Sequence, residues 1–179
     1  MKGFVRDNPL FSLCGLNCGL CTMRLGGHCP GCGGGNAPCA IARCAMPRGV
    51  SYCDECPEYP CAKYDHLTDY DSFLICRFRV QDMKRAREMG MDAYMEEMRG
   101  RMDVLDFLLK NANDGRKKSF FVAAACLLPM EELRAGAQSV AEPDLSLQAR
   151  AERATQCFNE AAACLGVELK FKRKPAKKK

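Results

Sequence analysis

The stretch LCGLNCGLCTMRLGGHCPGC, residues 13–32, holds five cysteines, and its first three follow the spacing C-x3-C-x2-C. That spacing is the one found in the cluster-binding cysteines of radical-SAM enzymes. Cysteines continue beyond this stretch, so that ten of the fourteen in the chain fall between residues 14 and 61. We predict that all ten are metal ligands: Cys14, Cys18, Cys21, Cys29, Cys32, Cys39, Cys44, Cys53, Cys56 and Cys61.

Several of these cysteines form pairs with only two residues between them, at 18/21, 29/32 and 53/56. Two intervening residues let the chain turn once and direct both sulfurs at one ion, so each pair supplies half of a tetrahedral site. In HCPGCGG, Pro30 fixes φ, and Gly31 and Gly33 suit positions with positive φ. This knuckle is shared by zinc ribbons and rubredoxin-type iron sites, so it indicates thiolate ligation without choosing the metal.

Ten thiolates do not divide evenly among four-ligand sites. Two ions leave two cysteines over, and three ions require bridging thiolates. The pairing is not determined by the sequence; one grouping joins 29/32 with 39/44 and 18/21 with 53/56, with Cys14 and Cys61 as extra ligands or a bridge. The expected cofactor is Zn²⁺, about two or three ions, and an iron–sulfur cluster is the alternative.

The radical-SAM interpretation is disfavoured by the rest of the chain. That chemistry uses an α/β barrel, which typically takes about 200 residues or more, whereas this chain has 179 and shows helical patterns after Cys21. The bacterial ferredoxin run is also absent. There is no P-loop, dinucleotide fingerprint or nucleophile elbow. We therefore expect no catalytic residues and favour a role other than that of an enzyme.

Composition points to a reducing compartment. The N-terminus does not resemble a signal peptide, and no apolar run approaches the roughly 20 residues that span a bilayer. We expect a cytoplasmic protein without membrane contact, in which dense thiols favour metal ligation over disulfides. The other four cysteines are expected to be small buried thiols within helices: Cys76, Cys126, Cys157 and Cys164.

The segment 14–61 is rich in glycine and poor in large apolar residues. Such a segment buries too little apolar surface to offset its chain entropy. Metal–thiolate bonds can order it instead, because the free energy of binding then becomes free energy of folding. We therefore predict an irregular cysteine-rich metal-knuckle module at residues 1–66.

Residues 67–172 change to helical periodicity and predict a bundle of about five helices. The first covers about 72–89, and Asp92 suits the N-cap of the second, which ends at the turn NANDG. The apolar stretch 117–128 predicts a buried central helix. Pro129 suits the first turn of the next helix.

The last predicted helix begins after Ser146 as N-cap and ends at Gly166. The alternating VELKF, residues 167–171, predicts a short C-terminal strand, for which the Phe4–Val5 segment is a candidate partner. The fold class is therefore mainly α with one short strand.

The basic residues are concentrated at the C-terminus. Residues 168–179 carry seven Lys or Arg and one Glu, which leaves the remaining chain with a net charge near −1 although the whole chain has +5. We predict that 173–179 is a disordered basic tail. Nucleic-acid binding through the cysteine module and this tail is an alternative function. The absence of interleaved aromatic and basic residues disfavours it.

The motif CGLNCGLC, followed by CPGC, CAIARC and YCDECPEYPC, resembles an uncharacterised cysteine-rich bacterial and archaeal family, domain of unknown function 3795. The resemblance continues in NDGRKKSFFVAAACLLPMEEL, residues 113–133, and near LGVELKF. The family is regarded as zinc-binding and has no assigned activity. The resemblance therefore implies a metal-binding module and no particular reaction.

Together these observations predict a metal-binding protein, with structural zinc, that acts as a binding or adaptor module for an unidentified protein partner. An iron–sulfur electron-transfer or redox protein and a nucleic-acid-binding protein are the alternatives.

Overall fold

The structure is a computed structural model that describes residues 3–35, 39–142 and 144–175. Its helices are α1 Thr22–Leu25, α2 Ala40–Arg48, α3 Arg79–Met89, α4 Met91–Asn111, α5 Lys118–Leu127, α6 Met130–Gln138 and α7 Leu147–Leu165. Single 3₁₀ turns lie at Cys18–Leu20, Cys53–Glu55 and Ala62–Tyr64. The prediction of a mainly helical chain is confirmed. Among the described helices, none is both long and apolar enough to cross a bilayer.

The chain divides into two compact units. The cysteine-rich unit is the described part of Met1–Met95 together with residues 172–175, and the helical unit is Glu96–Phe171. The composition of the sequence changes near residue 66, but the cysteine-rich unit extends to Met95. Its later residues belong to it because the Tyr94 hydroxyl donates to Asn17 Oδ1 over 2.9 Å.

The cysteine-rich unit contains an apolar core. Seven buried residues form it: Phe4, Leu13, Cys14, Ile41, Ala42, Ala45 and Tyr64. Phe4 and Tyr64 come from outside the segment 14–61, whose own apolar content is low. Residues that flank the cysteines therefore add aromatic surface to the core of a segment that contains no Phe or Trp.

The helical unit is built around α5. Residues 121–125 of this helix are fully buried, as the sequence predicted. Arg101 of α4 donates to the carbonyl oxygens of Ala125 at 2.9 Å and Leu128 at 2.7 Å. Ala125 lies in the last turn of α5 and Leu128 is its C-cap residue, so Arg101 closes that end of the helix.

The predicted ends of α7 are confirmed. Ser146 Oγ accepts from the backbone N–H of Ala149 at 3.2 Å, and Gly166 takes the left-handed conformation with φ of 65°. Three other predicted boundaries shift. The first predicted helix, expected from about residue 72, begins at Arg79 as α3, and two others move by one or two residues. Asp92 lies in the first turn of α4 because that helix begins at Met91, and Pro129 is the N-cap residue of α6.

The predicted strand at 167–171 is wrong, since the described residues contain no strand. The backbone groups of this segment are used locally instead of in a ladder. The Val167 N–H donates to the carbonyl of Ala162 at 2.9 Å and completes the end of α7, and the Lys170 N–H donates to Glu168 at 2.9 Å. Neither hydrogen bond pairs this segment with another strand.

Buried Asp71 holds the C-terminal segment of the cysteine-rich unit. Its carboxylate accepts from the backbone N–H of Cys76 at 2.7 Å and of Lys172 at 2.9 Å, and it pairs with Arg77. The Asp71 N–H donates to the carbonyl of Lys172 at 2.8 Å. Arg173, the first residue of the predicted basic tail, also donates from Nη1 to the carbonyl of Ser72 at 3.1 Å, and residues 176–179 of the tail lie outside the described residues.

Gly136 of α6 provides a test of packing in the helical unit. A Cβ at this position would overlap the ring of Phe158 in α7. We expect Gly136→Ala to lower the free energy of unfolding by about 1–3 kcal/mol through overpacking. Gly100→Ala is the control, because its Cβ would meet only the end of Met130 at 3.4 Å. It should raise stability by about 0.5–1 kcal/mol. Equal effects in urea denaturation would contradict this packing.

Asp71 provides a test of the C-terminal attachment. We expect Asp71→Ala to lower the free energy of unfolding by about 1.5–3 kcal/mol, because it removes hydrogen bonds to a charged acceptor. Asp69→Ala is the control, since Asp69 pairs only with exposed His66 at 2.8 Å and such pairs contribute about 1 kcal/mol or less. The measurement is chemical denaturation of both variants. A larger loss in Asp69→Ala would contradict the role of Asp71.

Candidate functional site

The CPGC knuckle lies against the N-terminal segment. The backbone N–H of Cys32 donates to the carbonyl of Pro9 at 3.1 Å, and that of Cys29 donates to Met23 at 3.1 Å. Gly31 has φ of +92°, and a Cβ there would collide with the backbone of Pro9. The predicted requirement for glycine at this position is therefore confirmed, and the close approach to Pro9 adds a second reason for it.

One set of thiols surrounds Cys18, and we call it the first cysteine group: Cys14, Cys18, Cys21, Cys29 and Cys32. Burial raises the pKa of Cys18, and the charges of these neighbouring thiols raise it further. A thiolate at Cys18 is therefore unfavourable unless a cation compensates it.

A second set of four thiols lines one cavity of about 30 Å³, and we call it the second cysteine group: Cys44, Cys53, Cys56 and Cys61. Helix α2 carries Cys44, and the turn Cys53–Glu55 begins at Cys53. Backbone bonds fix the turn, since the Cys56 N–H donates to the Cys53 carbonyl at 3.1 Å. Helix α2 and the short turn after it thus place cysteines from different parts of the segment 44–61 around one cavity.

The walls of this cavity are largely apolar. Ile41, Ala45 and Val50 line it beside the thiols. Burial is the main cause that raises the pKa of Cys53 to about 11, and the charges of Cys14, Cys61 and Cys44 add to it. As in the first group, a thiolate here needs a compensating cation.

Polar side chains other than the thiols also line the cavity of the second group. Arg48 donates from Nη1 to the Cys56 sulfur at 2.9 Å and pairs with Glu58 at 3.1 Å. The hydroxyl groups of Tyr59 and Tyr64 are buried, and within the described residues neither has a hydrogen-bond partner. Burial and the nearby Cys53 thiol raise the pKa of Tyr64, so its hydroxyl keeps its proton.

Cys14 has neighbours in both groups. It is buried, with Ser12 Oγ at 3.1 Å from its sulfur and Arg79 Nη1 at 3.7 Å. The charges of Cys32 and Cys39 raise its pKa, although burial is the larger cause and Arg79 opposes both. Its charge also acts on Cys53 in the second group. Cys39, the N-cap residue of α2, is therefore also a neighbour of Cys14, close enough for its charge to raise the pKa of Cys14.

The neighbourhoods differ from the grouping suggested by sequence order. The structure brings 18/21 together with 29/32, and 53/56 together with Cys44 and Cys61. The sequence grouping joined each pair to one from the other neighbourhood, because spacing along the chain does not report which turns meet. Within the described residues, no three or more Cys, His, Asp or Glu side chains are arranged so that they could hold a metal ion as they stand.

The other four cysteines, all within the described chain, lie outside these groups. Cys126 and Cys157 are partly buried in α5 and α7. The expectation of buried helical thiols is wrong for two of them. Cys76 is buried but lies in the loop before α3, where its sulfur donates to the carbonyl of Leu74 at 3.2 Å, and Cys164 is exposed on α7.

Sequence reasoning missed Arg48, Tyr59 and Tyr64 as part of the site. A signal was present, because Tyr59 stands between two predicted ligands in CPEYPC and Tyr64 follows the last of them by three residues. However, no known sequence spacing identifies a tyrosine near a cysteine as part of a metal site. Only the shared cavity identifies these residues.

A scan against protein families matches residues 24–66 to the family described as "Protein of unknown function (DUF3795)". The matched segment includes seven of the ten cysteines and ends before α3. Cys14, Cys18, Cys21 and the 113–133 segment, which also contributed to the resemblance in the sequence, lie outside it. A search of the curated proteins and a search of the solved structures each returned no match. Residues 24–66, about a quarter of the chain, are therefore similar to the DUF3795 family of proteins of unknown function.

Proposed function

We propose that the cysteine-rich unit is a metal-binding module and that the second cysteine group holds one structural zinc ion. The observation that carries this proposal is the cavity of about 30 Å³ lined by four thiols. One water molecule needs about 10–15 Å³ measured in this way, so the space is suited to a single small ion.

The donor set fits this ion. Four thiolates complete a tetrahedral shell around Zn²⁺ and leave no position open, as in structural rather than catalytic zinc sites. Zinc–sulfur bonds of about 2.3 Å would require the four side chains to turn toward one centre. They can do so by rotation about their Cα–Cβ bonds, since all four already line the same space.

Charge supports the same assignment. Four thiolates and one Zn²⁺ leave an excess of negative charge, and the guanidinium of Arg48 already contacts the Cys56 sulfur at 2.9 Å. The raised pKa of Cys53 means that this thiol is neutral without a cation at ordinary pH. Zinc would displace protons from the group when it binds, and its binding free energy would stabilise the fold.

The first cysteine group supports a second ion, because Cys21, Cys29 and Cys32 lie close enough to Cys18 for their charges to act on it. Ions in closed shells supply no Lewis-acid chemistry. We therefore propose that the zinc orders a surface used as a binding or adaptor module for a protein partner. A cytoplasmic location, in which thiols stay reduced, suits such a module.

Metal content tests this proposal directly. Anaerobically purified protein should be colourless and contain about two zinc ions per chain by elemental analysis, as expected for two all-cysteine sites. Cys56→Ser should lose about one ion, because one ligand of the second group is removed. Cys164→Ser, on exposed α7, is the matched control and should keep both. Stoichiometric iron with visible absorption would instead support the iron–sulfur alternative, and metal-free protein would contradict both.

Chelation tests whether the metal is structural. Incubation with a strong chelator should loosen the cysteine-rich unit, because metal-binding free energy is folding free energy in such modules. We expect faster proteolytic cleavage within residues 40–66 and recovery of resistance when Zn²⁺ is returned. Cleavage within α5 of the helical unit serves as the internal control and should be less affected. Unchanged cleavage at 40–66 after complete metal removal would show that the ion is not structural.

A further inference from the structure

We infer that Tyr59 and Tyr64 are hydrogen-bond donors to metal-bound thiolates of the second cysteine group, and that they position and stabilise those ligands. This inference rests on the proposed function and assigns a role to two residues outside the ligand set. Both tyrosines line the same cavity as the four thiols.

The two hydroxyl groups are in an unusual state. Both are buried, and among the residues described by the structure neither finds a hydrogen-bond partner. Buried polar groups in folded proteins are nearly always paired, because leaving one without a partner costs free energy. Two such groups in the lining of one cavity therefore indicate that a partner is supplied when the site is filled.

The backbone fixes each tyrosine relative to a candidate ligand. The Tyr59 N–H donates to the carbonyl of Cys56 at 3.0 Å, and the Tyr64 N–H donates to the carbonyl of Cys61 at 2.8 Å. The two rings pack edge to face, with centroids 5.1 Å apart and planes at 89°. These contacts hold the two rings together in the wall of the cavity, each next in sequence to a segment that carries a candidate ligand.

The sulfurs are the acceptors that fit these donors. The other side chains that line the cavity are either apolar or positively charged, with Arg48 and Lys63 the charged ones. A neutral thiol sulfur is a weak acceptor. A thiolate is charged, and hydrogen bonds to charged acceptors are about twice as strong as neutral ones. The tyrosine hydroxyls therefore gain good partners when metal binding converts the thiols into thiolates.

Such donors around a metal site hold the ligands in place, and their loss typically costs about 10–100-fold in metal affinity. In the metal-free protein the Tyr59 hydroxyl has no partner among the described residues, and the Tyr64 hydroxyl has only the nearby Cys53 thiol, a weak acceptor, to interact with. Removing them is therefore expected to have opposite consequences in the two states. Metal affinity should fall, while the stability of the metal-free protein should stay the same or rise.

The experiment uses full-length protein with Tyr59→Phe and Tyr64→Phe, singly and together. Zinc affinity is measured by competition with a chromophoric chelator, and Co²⁺ titration follows the sulfur-to-cobalt charge-transfer band. We expect the double variant to bind one of its ions about 10–100-fold more weakly than the unaltered protein, with the other ion unchanged. Thermal unfolding of the metal-free double variant should occur at the same or a higher temperature.

Tyr70→Phe is the matched control, because Tyr70 lies in the same unit, is partly exposed and does not line the cavity. It should change neither metal affinity nor the unfolding temperature. If the unaltered protein binds metal and the double variant binds it with equal affinity, this inference is overturned and the proposed function stands. Failure of the unaltered protein to bind Zn²⁺ or Co²⁺ would overturn both. A lower unfolding temperature of the metal-free double variant would show that the hydroxyls already have good partners without metal, and it would overturn this inference.

Discussion

A buried sulfur is stable as a neutral thiol or as a metal-bound thiolate, and it is unstable as a thiolate without a cation. This constraint governs the cysteine-rich unit, where burial raises the pKa of Cys14, Cys18 and Cys53. The thiols lie close enough to affect one another, so ionising one makes it harder to ionise the next. Only a cation placed among them removes both penalties at once. This constraint supports the proposal that each cysteine group binds a metal ion.

The two units reach stability by different means. The helical unit buries the middle of α5 completely and uses Arg101 to satisfy the carbonyls at its end. The cysteine-rich unit has short helices and turns, and it takes part of its apolar core from Phe4 and Tyr64. Tyr64 thus serves two purposes, since its ring packs in that core while its hydroxyl borders the cavity of the second cysteine group.

Local signals in the sequence predicted most of the helices. The ends of α7 at Ser146 and Gly166 could be predicted because a helix cap depends on a few neighbouring residues. The burial of α5 could be predicted because its stretch is almost entirely apolar. The strand at 167–171 was predicted from alternation alone, which does not show whether a second strand is available. The grouping of the cysteines also failed to follow from spacing, because which turns meet is decided by the packing of α2 and the flanking residues. The tyrosines of the site carry no motif, so only their shared cavity reveals them.

The attachment of Lys172 to Asp71 joins residues that are 101 positions apart. The helical unit is therefore an insertion within the sequence of the cysteine-rich unit, which begins before it and is completed after it. During synthesis the hydrogen bond between the Asp71 carboxylate and the Lys172 backbone can form only after the whole helical unit has been translated. The cysteine-rich unit therefore lacks this contact, and the segment that makes it, until translation has passed the helical unit.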